Sequence, residues 1–163
     1  MNITAIEIEY ALSEKFDKRK NILVPNIQEG MGLHECDVLM LRPTGYATEF
    51  EIKITKSDLA KDKKKDHGHK SDMIKEMYYA VPYTILSYAL GVLNKNYGVI
   101  AVRYVNGEPQ VEIKREPTLN PEARKWTDEE RFNLARLGAM RIWKLKKTVI
   151  DLTQKKGLQK QQR

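Results

Sequence analysis

Apolar residues recur at helical spacing from about Ile3 to Phe16, where Ala5, Ile8, Leu12 and Phe16 share one face and Asn2 or Thr4 can serve as N-cap. An amphipathic helix is expected there. The stretch that follows is rich in turn residues, with Pro25-Asn26 and the glycines Gly30 and Gly32, and reads as a connection. Alternating patterns from Glu35 to Leu41 and from Tyr46 to Ile54 then predict two strands. The short link Arg42-Pro43-Thr44-Gly45 should pair them as an antiparallel hairpin.

Ser57 offers an N-cap and Asp58 a first-turn acid for a lysine-rich helix that ends near His67-Gly68-His69. Met77 to Val81 has the pattern of a buried strand stopped by Pro82, and Thr84 to Leu93 that of a helix. Gly98 to Val105 is a further strand, turned by Asn106-Gly107 into Gln110 to Lys114. Glu116 to Arg124, with two prolines, reads as a linker. Thr127 followed by Glu130 is a capping box that opens a long helix to about Leu152, with Phe132, Ala135, Ala139, Ile142 and Trp143 as its core-facing stripe. Residues 1–153 should form one domain, and the Gln/Lys-rich tail 154–163 is expected to be disordered.

Two acids open the otherwise apolar first strand, where Glu35, Asp37, Leu39 and Leu41 share a face. In the next strand Glu49, Glu51 and Lys53 share one face while Phe50, Ile52 and Ile54 occupy the other. If the hairpin forms, Asp37 lies near Glu51 and Lys53, so that two carboxylates and an ammonium converge at one end. Oxygen ligands of this kind suit Mg²⁺, which keeps several waters and uses one or two carboxylates plus substrate phosphate oxygens. A lysine beside them can orient a water or stabilise charge that builds on phosphorus oxygens. Taken alone, the same pattern also fits a cross-strand Glu–Lys pair on a half-exposed hairpin, which contributes about 0.2–1 kcal/mol.

Composition sharpens this picture. Lys and Arg number 29 against 22 Asp and Glu, a formal net charge of +7, so a polyanionic partner is expected. From Lys53 to Lys70 seven lysines stand against three aspartates, and Lys56, Lys61 and Lys65 are the candidates for phosphate contact. His67 and His69 are candidates for contact with a phosphate or leaving group, while His34 reads as a loop histidine. On the long helix Arg131, Arg136 and Arg141 fall off the proposed apolar stripe and can offer a second DNA-facing surface. Trp126, Trp143, Tyr78 and Tyr79 are assigned to packing. The single cysteine, Cys36, excludes an internal disulfide and a Cys-rich zinc site and reads as a buried strand residue. With no apolar run near the roughly 20 residues of a membrane span and no signal-like start, a cytoplasmic location is expected.

The order helix, Asp on a strand, Glu-x-Lys on the next strand, helix, strand resembles the PD-(D/E)XK nuclease superfamily, with Asp37 and Glu51-Ile52-Lys53 as the signature. The strings Leu23-Val24-Pro25-Asn26, residues 30–37 and residues 49–59 are similar to small phage and prophage proteins of that superfamily, near the MmcB-like DNA-repair nucleases. Cys36 stands where the family name has proline. The resemblance covers most of residues 3–145. It implies an α/β restriction-endonuclease-like core of order αβββαβ, a mixed sheet flanked by helices with an added C-terminal helix. It implies Mg²⁺, with Mn²⁺ able to substitute, held by Asp37, Glu51 and the main-chain carbonyl of Ile52, with Lys53 aiding the attacking water. Endonucleolytic cutting of DNA in replication, repair or recombination is the expected activity, and a homodimer is compatible with it. The superfamily often adds an acid from its first helix; the helical wheel sets Glu9 beside the apolar face and Glu7 opposite it, so Glu9 is chosen. The competing reading is a non-catalytic DNA-binding protein on the same scaffold.

Overall fold

A computed structural model describes residues 3–28, 35–62 and 71–161 of the chain. In order the elements are α1 (Ala5–Lys15), β1 (Ile22–Ile27), β2 (Cys36–Leu41), β3 (Ala47–Ile52), α2 (Lys56–Asp62), β4 (Ile74–Pro82), a single 3-10 turn and α3 (Leu86–Val92), β5 (Gly98–Val105), β6 (Glu108–Arg115) and α4 (Asp128–Gln161). The six strands form one sheet in sequence order. Strands β1, β2 and β3 pair antiparallel, β4 and β5 join parallel, and β6 returns antiparallel. The chain is therefore an α/β protein with a mixed six-stranded sheet flanked by helices. No described helix is long and apolar enough to cross a membrane.

Local chemistry accounts for most element boundaries. Thr4 accepts from the Glu7 N–H while the Glu7 carboxylate accepts from the Thr4 N–H, so Thr4 is the cap of α1. Thr127 and Glu130 make the same reciprocal pair at the start of α4. Asn106 and Gly107 both hold positive φ, which suits the tight turn from β5 to β6. The cap of α2 differs from expectation. Thr55 rather than Ser57 accepts from the Asp58 N–H, at 3.1 Å, and the helix starts at Lys56.

Strand alternation sorts the core into layers. Val38, Met40, Phe50, Ile52, Tyr78, Ala80, Ile100 and Val102 pack under Ile8 and Leu12 of α1 on one side. The opposite face carries two separate apolar patches. One joins Val24, Leu39 and Leu41 to Trp126 and Leu134, and the other joins Met77, Tyr79, Val81 and Val99 to Leu59 of α2 and to Leu86 and Ala89 of α3.

Three expectations are corrected. The turn-rich stretch contains β1, because an edge strand tolerates Pro25, and its register with β2 continues unbroken past Asn26, at φ 55°, to Ile27. The helix α4 runs to Gln161 instead of ending near Leu152, so the tail 154–161 is helical; its Gln, Lys and Leu residues are good helix formers. The rotation of α4 also differs. Phe132, Ala135, Ala139, Ile142 and Trp143 are all exposed, and Leu134, with 0% exposure, faces the sheet beside the partly buried Leu137. Gly138 permits this approach, since a Cβ there would stand 3.2 Å from a methyl of Val24. Trp126 holds the entry to the helix: its N–H donates to the Gly45 carbonyl at 2.9 Å and its indole N–H to the Met73 carbonyl at 2.8 Å.

Leu134 fills the α4 contact with the sheet. Leu134→Ala is expected to lower unfolding free energy by roughly 2–5 kcal/mol in urea titration, whereas Phe132→Ala, at an exposed site on the same helix, should leave it within about 1 kcal/mol of wild type.

Candidate active site

Between the two apolar patches of one sheet face lies a seam of charge. The hairpin register sets Leu39 opposite Glu49, and the ladder between β2 and β3 ends at the Val38–Phe50 rung. Beyond that rung Asp37 turns its carboxylate across the gap and accepts the Ile52 N–H at 2.7 Å. This charge-assisted bond stands in for the next ladder contact and leaves the carboxylate at the mouth of the hairpin. The other flank of β3 is sealed by β4, where Glu49 pairs with Met77, Glu51 with Tyr79, and the Lys53 N–H donates to the Ala80 carbonyl at 3.1 Å.

Glu51 of β3 and Lys53, one residue past the end of that strand instead of within it as the alternation predicts, close on each other at 2.8 Å with side chains 14% and 12% exposed. Burial pushes the Glu51 carboxyl up to about 7, and the negative charges of Asp37 and Glu49 add to the rise against the opposing pull of Lys53. Glu49 itself is 1% exposed. It shares the face of Glu51 but was not among the residues singled out from sequence. Its position between Leu39 and Met77 across two ladders, a charge inside an apolar row, is the signal that marks it.

The first helix contributes from the side. Glu7 is committed to the cap and to the Tyr104 hydroxyl, which donates to it at 2.6 Å. Glu9 instead accepts from the Asn26 amide at 3.4 Å, and its carboxyl is raised by burial, with the Asp37 charge contributing. Asn26 was not foreseen as part of the site, and its positive φ is what presents it there. Its carbonyl accepts from the Arg141 guanidinium of α4. Arg141 therefore faces the protein body at the end of β1. Arg131 is likewise turned inward and donates to the Trp126 carbonyl at 3.0 Å. Arg136 is exposed, as are Lys56 and Lys61, and the Lys56 ammonium lies over the Tyr88 ring at 5.7 Å.

Lys65, His67 and His69, and His34, lie outside the described residues. Trp126, Tyr78 and Tyr79 are buried as packing residues, but Trp143 is 69% exposed and packs against no core. Cys36 is buried, and burial pushes its thiol up, so it stays protonated and takes no part as a nucleophile.

Asp37, Glu51 and Glu9 provide oxygen donors of the kind a hard divalent cation takes, and such a cation would offset both the burial that raises Glu51 and the smaller contribution of the Asp37 and Glu49 charges. Among the described residues no group of three or more His, Cys, Asp or Glu side chains is arranged so that it could hold a metal ion by itself. Mg²⁺ needs none, since it is held through one or two carboxylates and waters. The carbonyl of Ile52 belongs to the last residue of β3, whose own N–H is fixed by Asp37.

The chain matches no protein-family profile and no curated protein. Among solved structures it is similar to an SPO1766 protein of unknown function from Silicibacter pomeroyi, at 17% identity, with a TM-score of 0.63 over 94% of this chain and 96% of that one. At that identity the likeness speaks for a shared fold.

The environment of Glu51 sets a pH dependence. Its ordinary value is 4.5 and its folded value about 7, so the folded state holds the proton more tightly. This stabilising contribution is full below pH 4.5 and is lost as pH rises through about 7. Carbon-13 NMR of the Glu side chains, without added metal, should find one carboxyl titrating near pH 7. Asp37→Asn should lower that midpoint by removing a like charge, and Lys53→Met should raise it by removing the counter-charge.

Proposed function

We propose that this chain is a Mg²⁺-dependent nuclease that hydrolyses phosphodiester bonds in DNA, built on a PD-(D/E)XK core. The observation that carries the reading is the convergence of Asp37, Glu51 and Lys53 at the open end of the β2–β3 ladder, with Asp37 bonded to the Ile52 main chain and Lys53 to Glu51. The element order α1-β1-β2-β3-α2-β4, with β1 to β3 antiparallel and β4 parallel to β3, agrees with the αβββαβ core that the resemblance implies.

Asp37 and Glu51, with the Ile52 carbonyl and Glu9 beside them, would hold the cation. When bound, it supplies a polarised phosphodiester and an attacking water of lowered pKa. The chain's own groups do the rest. Asp37 is pre-set by the Ile52 N–H, so its orientation needs no rearrangement. The Lys53 ammonium, held by Glu51 in a largely buried position, orients the attacking water and stabilises negative charge on the phosphoryl oxygens. As the water oxygen bonds to phosphorus, the bond to the departing deoxyribose oxygen breaks; the water's proton passes to solvent and solvent returns one to the leaving oxygen.

Substrate contact is assigned by charge. The acids would repel DNA on their own, and Lys56, Lys61 and Arg136 are exposed cations available for phosphate contact in a chain of net charge +7. Arg141 acts differently, as a positive charge held at the end of β1 by Asn26.

Incubation with single-stranded, linear duplex, branched and circular DNA, with Mg²⁺, Mn²⁺ or chelator, tests the reading. Wild type should cut only with metal, circular DNA included, while Asp37→Asn and Lys53→Met should each reduce the rate by at least 10²-fold with unfolding still cooperative. DNA binding with no cutting under any of these conditions would favour the non-catalytic scaffold. Cutting that survives both substitutions would place the chemistry elsewhere.

A further inference from the structure

A cleft of about 560 Å³ opens where the parallel strands β3, β4 and β5 end, bordered by Ile54, Pro82 and Val102. Open α/β sheets place ligands in crevices at the carboxyl ends of their strands, and this volume falls in the range of small-molecule sites. Two of its side chains, Ile54 and Tyr83, are 42% and 44% exposed, so the apolar wall is open to solvent.

The charges around that wall have one sign. Lys56 and Arg103 line the cleft and are exposed, and no carboxylate stands among the described residues that line it. The Arg103 guanidinium lies 5.2 Å from the centre of the Tyr83 ring and the Lys114 ammonium 5.6 Å from it, which holds both cations beside the apolar surface. Of the acids on neighbouring elements, Glu112 pairs with Lys114, and Glu7 is taken by Thr4 and the Tyr104 hydroxyl. An apolar cleft flanked by cations suits a ligand with a flat ring body and a negative charge close to it, which is the chemistry of a nucleotide. An apolar peptide would make no use of the cations, and a small anion would make none of the wall.

Position ties the cleft to the acidic seam. Lys53 is bonded to Glu51, and the next three residues, Ile54, Thr55 and Lys56, all line the cleft. The Lys53 N–H donates to the Ala80 carbonyl, two residues before Pro82, so both openings share the ends of β3 and β4. A DNA strand with its scissile phosphate at Lys53 therefore brings a neighbouring nucleotide to Ile54. We propose that this cleft takes the base of one unpaired nucleotide beside the scissile phosphate, with Arg103 and Lys56 on the flanking phosphates, and that the preferred substrate is single-stranded or flapped DNA. In a duplex the base must first leave its stack, and that cost is least where it has no partner. The inference rests on the nuclease reading, whose substrate it narrows.

Fluorescence anisotropy of the full chain in chelator, so that no strand is cut, reads the cleft directly with labelled oligothymidine, an abasic strand carrying the same phosphates, and a blunt duplex. Oligothymidine should bind about tenfold more tightly than the abasic strand. Tyr83→Ala and, separately, Ile54→Asn should remove most of that difference while the abasic strand still binds; both positions are exposed, so the unfolding midpoint should move little. With Mg²⁺, the same substitutions should lower the ratio of single-strand to duplex cutting about tenfold. Equal wild-type affinity for oligothymidine and the abasic strand, or a difference that both substitutions leave intact, would overturn the inference whether or not DNA is cut. Thymidine 5′-monophosphate bound as tightly as oligothymidine would make the cleft a free-nucleotide site and overturn its assignment to a strand. Base-dependent binding with no cutting would instead sink the nuclease reading and leave the cleft as a site for unpaired DNA.

Discussion

The structure depends on the register of β3 in the middle of the sheet. Phe50 has no solvent exposure and stacks on Tyr78 at 5.7 Å while Ile52 packs in the same layer under α1, so this strand is locked by large apolar side chains on that side, with Ala47 alone buried in the apolar patch on the other. Side-chain alternation then sends Glu49, Glu51 and Lys53 to the opposite face with no freedom to choose. A slip of one residue would drive three charges into the α1 core and lift an aromatic ring into the seam. The candidate site inherits its rigidity from a core that contains none of its charged side chains and, of its residues, only Ile52.

Against that rigidity stands a local cost. Four carboxylates, from Glu9, Asp37, Glu49 and Glu51, gather where the two apolar patches of the second face fail to meet, and one lysine lies in direct contact with them through Glu51. Folding alone would have favoured leucines there, since joining the two patches would bury more apolar surface. Groups held against their own stability are the usual mark of a site built for something other than the fold. The chain as a whole carries the opposite sign, with a formal net charge of +7.

Much of this was legible in the residues because the signals are local and periodic. The β2–β3 hairpin, the capping box of Thr127 with Glu130 and the Asn106-Gly107 turn all follow from spacing and backbone preference, while the cap of α1 was narrowed to Asn2 or Thr4 and the structure selects Thr4. What could not be read depends on tertiary contact. Pro25 and Asn26 look like a turn unless it is known that their strand lies at a sheet edge, where a missing donor and a positive φ are tolerated. The stripe assigned to α4 failed for a related reason: the helix has apolar residues over about half its circumference, and only the Gly138 approach to Val24 decides which of them turn inward. Trp143 was assigned to packing by its spacing along the helix and stands 69% exposed. Glu49 was seen as a face-mate of Glu51, but its burial depends on β4, a strand distant in sequence.

Asn26 sits at the end of β1 with its amide on Glu9 of the first helix and its carbonyl on Arg141 of the last. One residue of an edge strand thus serves as the rivet between both helices and the acidic seam. Whatever pulls on the far end of α4, whether a neighbouring molecule or a change in the helix itself, has a short mechanical path to the carboxylates, and it runs through two hydrogen bonds of a single side chain and its own peptide group.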